Sequence, residues 1–407
     1  MVTRKLNILH VINSLEIGGA ETFLLRLIKE QVDVGHKVFL LVVTPAENDK
    51  RFEVEWLKVL GDNIFVKWTE NKLLKPLGER VNGLTHRVAR KKTYDSFKEF
   101  QKRKYYLNIF RNNNIDVINS HLLGADFFVV NELINYIDFP FVVTSQGCYN
   151  EYDNIANMNA LIPHISGMTF VANKNLKIFN KSDAKLTENK KLVYNGVPLP
   201  DKSTFKKRSS FGIKDDDFVF GQVTRSIPTK GMEVSIKAII KIVEMKGLDN
   251  VKLLIIGPEN EYYKGLANKY SDYEFIIFPG VALNPIDFVG MFDVGMLPSY
   301  FPSESCPSTI VEYLSCEVPV ISTGVGEIKS MVDYNGEKAG IIIDELDGEE
   351  VPDYELFAVA AYEMYTNSQQ YQLFKSITSK AFSKFLIILI QDEYLNIYQK
   401  SIEQYSN

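Results

Sequence analysis

Phe301-Pro-Ser-Glu304-Ser-Cys-Pro-Ser308-Thr309-Ile-Val-Glu312-Tyr-Leu-Ser-Cys-Glu-Val-Pro-Val-Ile-Ser322 reads as a loop, a short helix, a tight turn and a buried strand. Glu304 falls on the loop and Glu312 inside the helix, so the two carboxylates can hold different parts of an extended ligand. A helix starting near Ser308 or Thr309 would aim free backbone N–H groups, and its positive end, at a group lying between them. Thr309-Ile-Val-Glu312 also has the spacing of a capping box, in which the glutamate only satisfies the N–H of the cap residue. That competing reading explains neither Glu304 nor the Ser-Cys-Pro-Ser run ahead of the helix.

Working outward, short apolar runs alternate with helical patterns. In the first half they are Asn7 to Ile12, Lys37 to Val43, Val117 to Asn119, Phe141 to Thr144, Met168 to Val171 and Lys191 to Tyr194. The second half repeats the plan with Phe218 to Thr224, Lys252 to Ile256, Phe275 to Phe278, Val294 to Leu297, Val318 to Ile321 and Gly340 to Ile343. Such alternation predicts an α/β protein with two doubly wound, Rossmann-like domains. Asn195-Gly-Val-Pro-Leu-Pro-Asp-Lys-Ser-Thr204 interrupts both periodicities, which sets the domains at 1–197 and 198–385, with a helical segment 386–407 after them. Ligands of such sheets sit at the carboxyl ends of the strands, so the site belongs in the cleft between the domains.

Composition narrows the class. The chain has 407 residues, 45% apolar and 24% charged, enough for two sizeable cores. Its 46 Lys and Arg against 51 Asp and Glu make nucleic acid an unsuitable partner. Cys148, Cys306 and Cys316 form no CxxC pair, which argues against a disulfide framework or a zinc site and for a reducing compartment. Met1 to Arg4 leads straight into a strand-like run with no secretory signal, and the longest apolar stretch, Phe385 to Ile390, falls far short of the roughly 20 residues of a spanning helix. A cytoplasmic location is the expectation. Residues 72–111 carry twelve Lys and Arg against three acids. Leu77, Val81, Leu84 and Val88 recur there at helical spacing among Arg80, Arg87, Arg90, Lys91 and Lys92, the pattern of a basic amphipathic helix suited to an anionic membrane surface or simply to solvent.

A second cluster of charge lies in Phe220-Gly-Gln-Val-Thr-Arg225-Ser-Ile-Pro-Thr-Lys230-Gly231, where a strand ends before a helix predicted over Met232 to Val243. Arg225 and Lys230 beside a helix amino terminus make a diphosphate clamp, although surface cations flanking a turn would read the same way. Glu312 could then accept from the vicinal hydroxyls of a ribose and Glu304 from those of a sugar. Gly324-Val-Gly326-Glu327 permits a close backbone approach to a ligand, or forms a plain turn. Asp215-Asp-Asp217 matches a metal-binding DxD motif, but its place between Phe211-Gly-Ile-Lys and a strand suits a solvated turn. Cys306 stands near a helix amino end, where a thiol pKa can fall, yet has no partner base and is not read as a nucleophile.

Gly18-Gly19-Ala-Glu21 after the first strand, Arg225 with Lys230-Gly231, Glu304 with Glu312, Pro319-Val-Ile-Ser-Thr323 and Gly326-Glu327 occur in the order found in glycosyltransferase family 4. Over essentially its whole length the chain resembles that group, whose members are retaining enzymes of the GT-B fold with a Glu, seven residues, Glu signature. The resemblance implies that the two domains face a cleft and that the helix 386–407 crosses back onto the first domain. It assigns Arg225 and Lys230 to the diphosphate, Glu312 to the ribose, Glu304 to the transferred sugar, Gly18 and Gly19 to the opposite wall, and Cys306, Pro307, Ser308 and Thr309 to the donor site. His121, at the end of the strand Val117-Ile-Asn-Ser120, is similar to a histidine near the reacting sugar. Two departures stand out: Ser305-Cys306 replaces a common Gly-Phe where the sugar is read, and Gln146 replaces a histidine and is given no catalytic role because an amide cannot exchange a proton at neutral pH.

The implied activity is metal-independent, retaining transfer of a sugar from a nucleoside diphosphate sugar, UDP foremost, to a glycan or lipid-linked acceptor in cell-surface polysaccharide synthesis. No cofactor is implied. Lys230→Ala and Glu312→Ala are expected to abolish transfer and to leave folding intact. A nucleotide-sugar epimerase would instead consume donor without acceptor, and a non-catalytic sensor would bind donor without releasing nucleoside diphosphate. A phosphorylase would need a pyridoxal lysine, and a dinucleotide dehydrogenase a Gly-x-Gly-x-x-Gly turn that neither domain has.

Overall fold

A computed structural model of the chain describes residues 4–16, 18–69, 87–147, 155–282, 284–343 and 350–406. Strands β1 (Asn7–Ile12), β2 (Lys37–Val42), β3 (Ile64–Val66), β4 (Val117–His121), β5 (Phe141–Ser145), β6 (Ile165–Phe170) and β7 (Lys190–Leu192) form a sheet of order β3-β2-β1-β4-β5-β6-β7. Every neighbouring pair in it is parallel. Helices α1 (Gly19–Asp33), α2 (Lys50–Leu60), α3 (Arg87–Asn112), α4 (Leu123–Phe128) and α5 (Ile155–Leu161) connect its strands. Strands β1, β4 and β5 are buried nearly throughout, as near-continuous apolar runs between two helical layers must be.

The second sheet takes β8 (Phe218–Val223), β9 (Val251–Ile256), β10 (Ile276–Gly280), β11 (Val294–Leu297), β12 (Val320–Thr323) and, beyond a short antiparallel pair formed by β13 (Asp333–Tyr334) and β14 (Glu337–Lys338), β15 (Gly340–Ile343). Its order is β10-β9-β8-β11-β12-β15, again parallel. In chain order its helices are α6 (Met232–Lys246), α7 (Glu261–Lys269), α8 (Ile286–Val289), α9 (Ser308–Ser315), α10 (Ile328–Met331), α11 (Tyr354–Thr366) and α12 (Ser368–Phe382). In both sheets the strand order reverses beside the first strand, β1 or β8, and the crevice opens at that switch point.

Helix α13 (Ile387–Ser406) packs on the first sheet. Its Ile387, Ile390, Tyr394, Ile397 and Tyr398 join the core made by β1, β2 and α1, each contributing roughly 1.5–3 kcal/mol of burial. Polar bonds fix its register: Tyr398 Oη donates to Asn119 Oδ1 at 2.7 Å, and Asn189 Nδ2 donates to Ser401 Oγ at 2.9 Å. The backbone enters it through a bridge in which Val197 N–H donates to the Phe385 carbonyl and Ile387 N–H donates to the Val197 carbonyl. These elements make the GT-B fold.

Of the basic segment, Leu77, Val81, Leu84 and Arg80 lie outside the described residues, and α3 begins at Arg87. The far end of α3 is not a solvated face: Tyr106, Ile109 and Phe110 enter the core of the first sheet. Asp215-Asp-Asp217 forms a turn as expected, but Asp217 is turned inward, its Oδ2 accepting from the Lys214 N–H at 2.8 Å. Among the described helices none is long and apolar enough to cross a membrane. Cys148 lies outside the described residues.

Candidate active site

A cavity of about 440 Å³ opens between the carboxyl ends of the two sheets. From the first domain it is lined by Gly18 to Thr22, Leu122, Gln146 and Gly147, and from the second by Arg225, Lys230, Phe301 and the run Ser303 to Thr309 with Glu312. Its size suits a small-molecule site, for which about 300–1,000 Å³ is usual. Gly18, Gly19, Arg225, Lys230, Glu304, Cys306, Pro307, Ser308, Thr309 and Glu312 are therefore brought together, and His121 is not.

Lys230 reaches the cavity because the chain turns sharply after it. A short 3-10 turn, Pro228–Lys230, ends at Gly231 with φ at 72°, the left-handed region that favours glycine, and a Cβ there would stand 2.1 Å from the Pro298 carbonyl oxygen. The turned ammonium pairs with Glu304 Oε2, both side chains 7% exposed. Ser299 Oγ donates to the same carboxylate oxygen at 2.7 Å. Burial, opposed by Glu304, leaves the Lys230 ammonium below its usual range. Arg225 and Lys230 both lie 5.1 Å from the centre of the Phe301 ring, which holds the two cations side by side.

Helix α9 carries Glu312 to the cavity, and α9 itself is tied to the end of β8. Thr309 Oγ1 donates to the Val223 carbonyl at 2.9 Å, and Val223 N–H donates to Tyr313 Oη at 3.0 Å. This geometry replaces the capping box: the cap position is Pro307, the Thr309 hydroxyl is used on β8, and Glu312 Oε1 accepts from Arg26 at 2.8 Å. Burial pushes the Glu312 carboxyl up and Arg26 pulls it back. Arg26 was missed by sequence reasoning; the available signal was its place seven residues after Gly19, on the same face of α1.

Gly326 serves a different purpose from the one its motif suggests. With φ at 62°, it places its backbone against the loop of the first glutamate, where a Cβ would meet the Ser305 carbonyl oxygen at 2.5 Å. Glu327 N–H donates to that carbonyl at 2.8 Å, and its Oε1 accepts from Asn173 N–H across the cleft at 3.1 Å. The close approach seen is thus to the Glu304 loop. Cys306 borders the cavity, but burial pushes its thiol up to about 12, the opposite of the lowering that a helix amino end can give.

His121 is fully buried and does not line the cavity. Gln31 Oε1 accepts from His10 Nε2 at 2.8 Å, so His10 Nδ1 accepts from His121 Nε2 at 2.9 Å, and His121 Nδ1 faces the Gln146 amide nitrogen at 3.5 Å. Burial pulls His10 down to about 4 and His121 well below the ordinary histidine range, so both rings are neutral. Gln146 lines the cavity, and His121 stands behind it. Glu21, also on the wall, has its carboxyl pushed up to about 7 by burial.

Residues 203–359 match the model of glycosyl transferases group 1. The match covers most of the second domain, which is therefore similar to that group, and the two-domain architecture is the GT-B fold. The chain is 24% identical over 266 residues to the capsular polysaccharide biosynthesis glycosyltransferase CapH of Staphylococcus aureus, covering 59% of this chain and 68% of that protein. Among solved structures, Anabaena Alr3699/HepE in complex with UDP-glucose superposes with a TM-score of 0.69 at 18% identity, over 96% of this chain and 98% of the other. A glycosyltransferase from Rickettsia africae gives 0.71 at 14% identity, over 98% and 100%.

Proposed function

We propose that the chain is a retaining glycosyltransferase of family 4 type. It moves a hexosyl group from a uridine diphosphate sugar to a hydroxyl of a glycan or lipid-linked glycan in cell-surface polysaccharide synthesis. The observation that carries this reading is the convergence of Arg225, Lys230, Glu304, Glu312 and the first turn of α9 on one cavity whose opposite wall is Gly18 and Gly19. The UDP-glucose held by the Anabaena structure and the capsular role in the name of the Staphylococcus aureus relative support the donor and the pathway.

In this reading Arg225, Lys230 and the positive end of α9 stabilise the departing diphosphate, and no metal is required. Glu312 accepts from the ribose hydroxyls and Glu304, fixed by Lys230 and Ser299, accepts from the sugar. The acceptor hydroxyl enters on the face the diphosphate leaves, with no protein nucleophile. Gln146, not His121, faces the sugar from the first domain. The enzyme works in the cytoplasm at the inner face of the membrane. Phe97 and Phe100, 50% and 61% exposed on α3 beside Arg103 and Lys104, are its contact with anionic lipid.

The test is a screen of nucleotide sugars followed by NMR of the anomeric product, with a chelator in parallel. Release of UDP and a sugar of unchanged anomeric configuration, undiminished by chelator, is expected. Inversion would overturn retention, and donor rearrangement without acceptor would make the protein an epimerase. Binding with no release of UDP would make it a sensor.

A further inference from the structure

Arg26 comes from α1 of the first domain, yet its side chain, 11% exposed, ends on the carboxylate of Glu312 in the second, 2.8 Å away. Glu312 lines the cavity and Arg26 does not. The guanidinium therefore holds Glu312 Oε1 from outside the cavity lining. A carboxylate is acceptor-only when charged and can take both hydroxyls of a vicinal diol; once protonated it becomes a donor on one oxygen and loses that grip. With the Glu312 side chain 4% exposed, water does little to hold the charge, and Arg26 supplies the compensation.

We propose that Arg26 is a positioning residue for the donor: reaching across the cleft, it keeps Glu312 charged and oriented for the ribose diol, so nucleotide affinity depends on how the domains are juxtaposed. This deepens the donor reading above and rests on it. Among the described residues, Arg26 is the charged group that acts on Glu312. Tyr313 on the same helix is raised far out of range by burial, and Cys316 just beyond is pushed up to about 11, so both stay neutral through the physiological range. The pair also joins residues of α1 and α9, so any opening of the cleft that parts those helices removes the guanidinium and weakens the hold on the nucleotide. Product release is eased by the same motion.

The experiment measures binding of UDP and of 2′-deoxy-UDP by calorimetry between about pH 6 and pH 8.5, because their ratio cancels the titration of the phosphates. Wild type should prefer UDP by about tenfold, one hydrogen bond to a charged group, at every pH. In Arg26→Gln the preference should fall as pH is lowered and recover as it is raised, and Arg26→Lys, which keeps the charge, should restore a flat profile. The double variant Arg26→Gln with Glu312→Gln should match Glu312→Gln alone. An unchanged, pH-flat preference in Arg26→Gln overturns the proposal. Wild type that binds no UDP, or does not discriminate, overturns the donor reading instead. Should Arg26→Gln fail to fold, Arg26→Lys and Glu312→Gln decide: a Glu312→Gln protein that still prefers UDP as wild type does sinks the role of Arg26.

Discussion

Lys230 Nζ and Glu304 Oε2 form an ion pair that water scarcely reaches, and Ser299 holds the same oxygen. Removing one member of such a pair leaves an uncompensated buried charge, at a cost of about 3–5 kcal/mol. Lys230→Ala should therefore lose both transfer and stability, contrary to the expectation from sequence that folding would be untouched. Lys230→Met with Glu304→Leu should melt closer to wild type while remaining inactive. A Lys230→Ala protein with the wild-type Tm would show that the pair is not formed in solution.

Gly231→Ala separates backbone placement from charge. A left-handed non-glycine residue costs about 1–2 kcal/mol, and the added Cβ meets the Pro298 carbonyl oxygen at 2.1 Å. Lowered Tm and at least a tenfold loss in kcat/KM, roughly 1.4 kcal/mol in the barrier, are expected with Lys230 itself intact. Kinetics within twofold of wild type would refute the claim that the turn aims Lys230.

The neutral histidine pair sets an acid limb. His10 falls from an unfolded value of 6.5 to about 4, so its contribution to stability is fully present above pH 6.5 and is lost as pH drops toward 4. Glu21 at about 7 and Asp126 at about 8 act with the opposite sign, costing stability as pH rises through the window between the ordinary carboxylate range and those values. The wild-type profile is the sum, but the difference between wild type and His10→Gln isolates the imidazole. That difference should shrink steadily from pH 6.5 to 4 in thermal melts; a constant gap would mean that His10 is protonated in the folded state.

Membrane contact through α3 is checked by co-sedimentation. Wild type should pellet with anionic vesicles in low salt and far less with neutral ones, and Phe97→Ser with Phe100→Ser should weaken pelleting several-fold while leaving UDP binding unchanged. Equal pelleting with both kinds of vesicle would exclude the basic segment as the cause.

Period and composition made both sheets legible, because buried parallel strands are continuous apolar runs; β1, β11 and β15 lie where the pattern sets them. Edge strand β3 was not seen, since Ile64-Phe65-Val66 is too short to establish a period. The charged cavity residues of the second domain fall in two short stretches, Arg225 to Lys230 and Glu304 to Glu312, each legible as a motif. The first domain contributes side chains whose meaning depends on distant partners: Arg26 is 286 positions from Glu312, and its place on the Gly19 face of α1 points to the cleft without naming that carboxylate. The place of His121 was illegible for a similar reason, because only the fold shows it buried between His10 and the cavity residue Gln146.

Helix α13 has a consequence for the order in which the molecule is made. The first sheet emerges from the ribosome early, but its core is closed by Ile387, Ile390, Tyr394, Ile397 and Tyr398, which follow the entire second domain. The earlier domain must wait, with an apolar face uncovered, while the later one is synthesised and completed. A nascent chain stalled before residue 387 lacks the five side chains that close the core of its first domain.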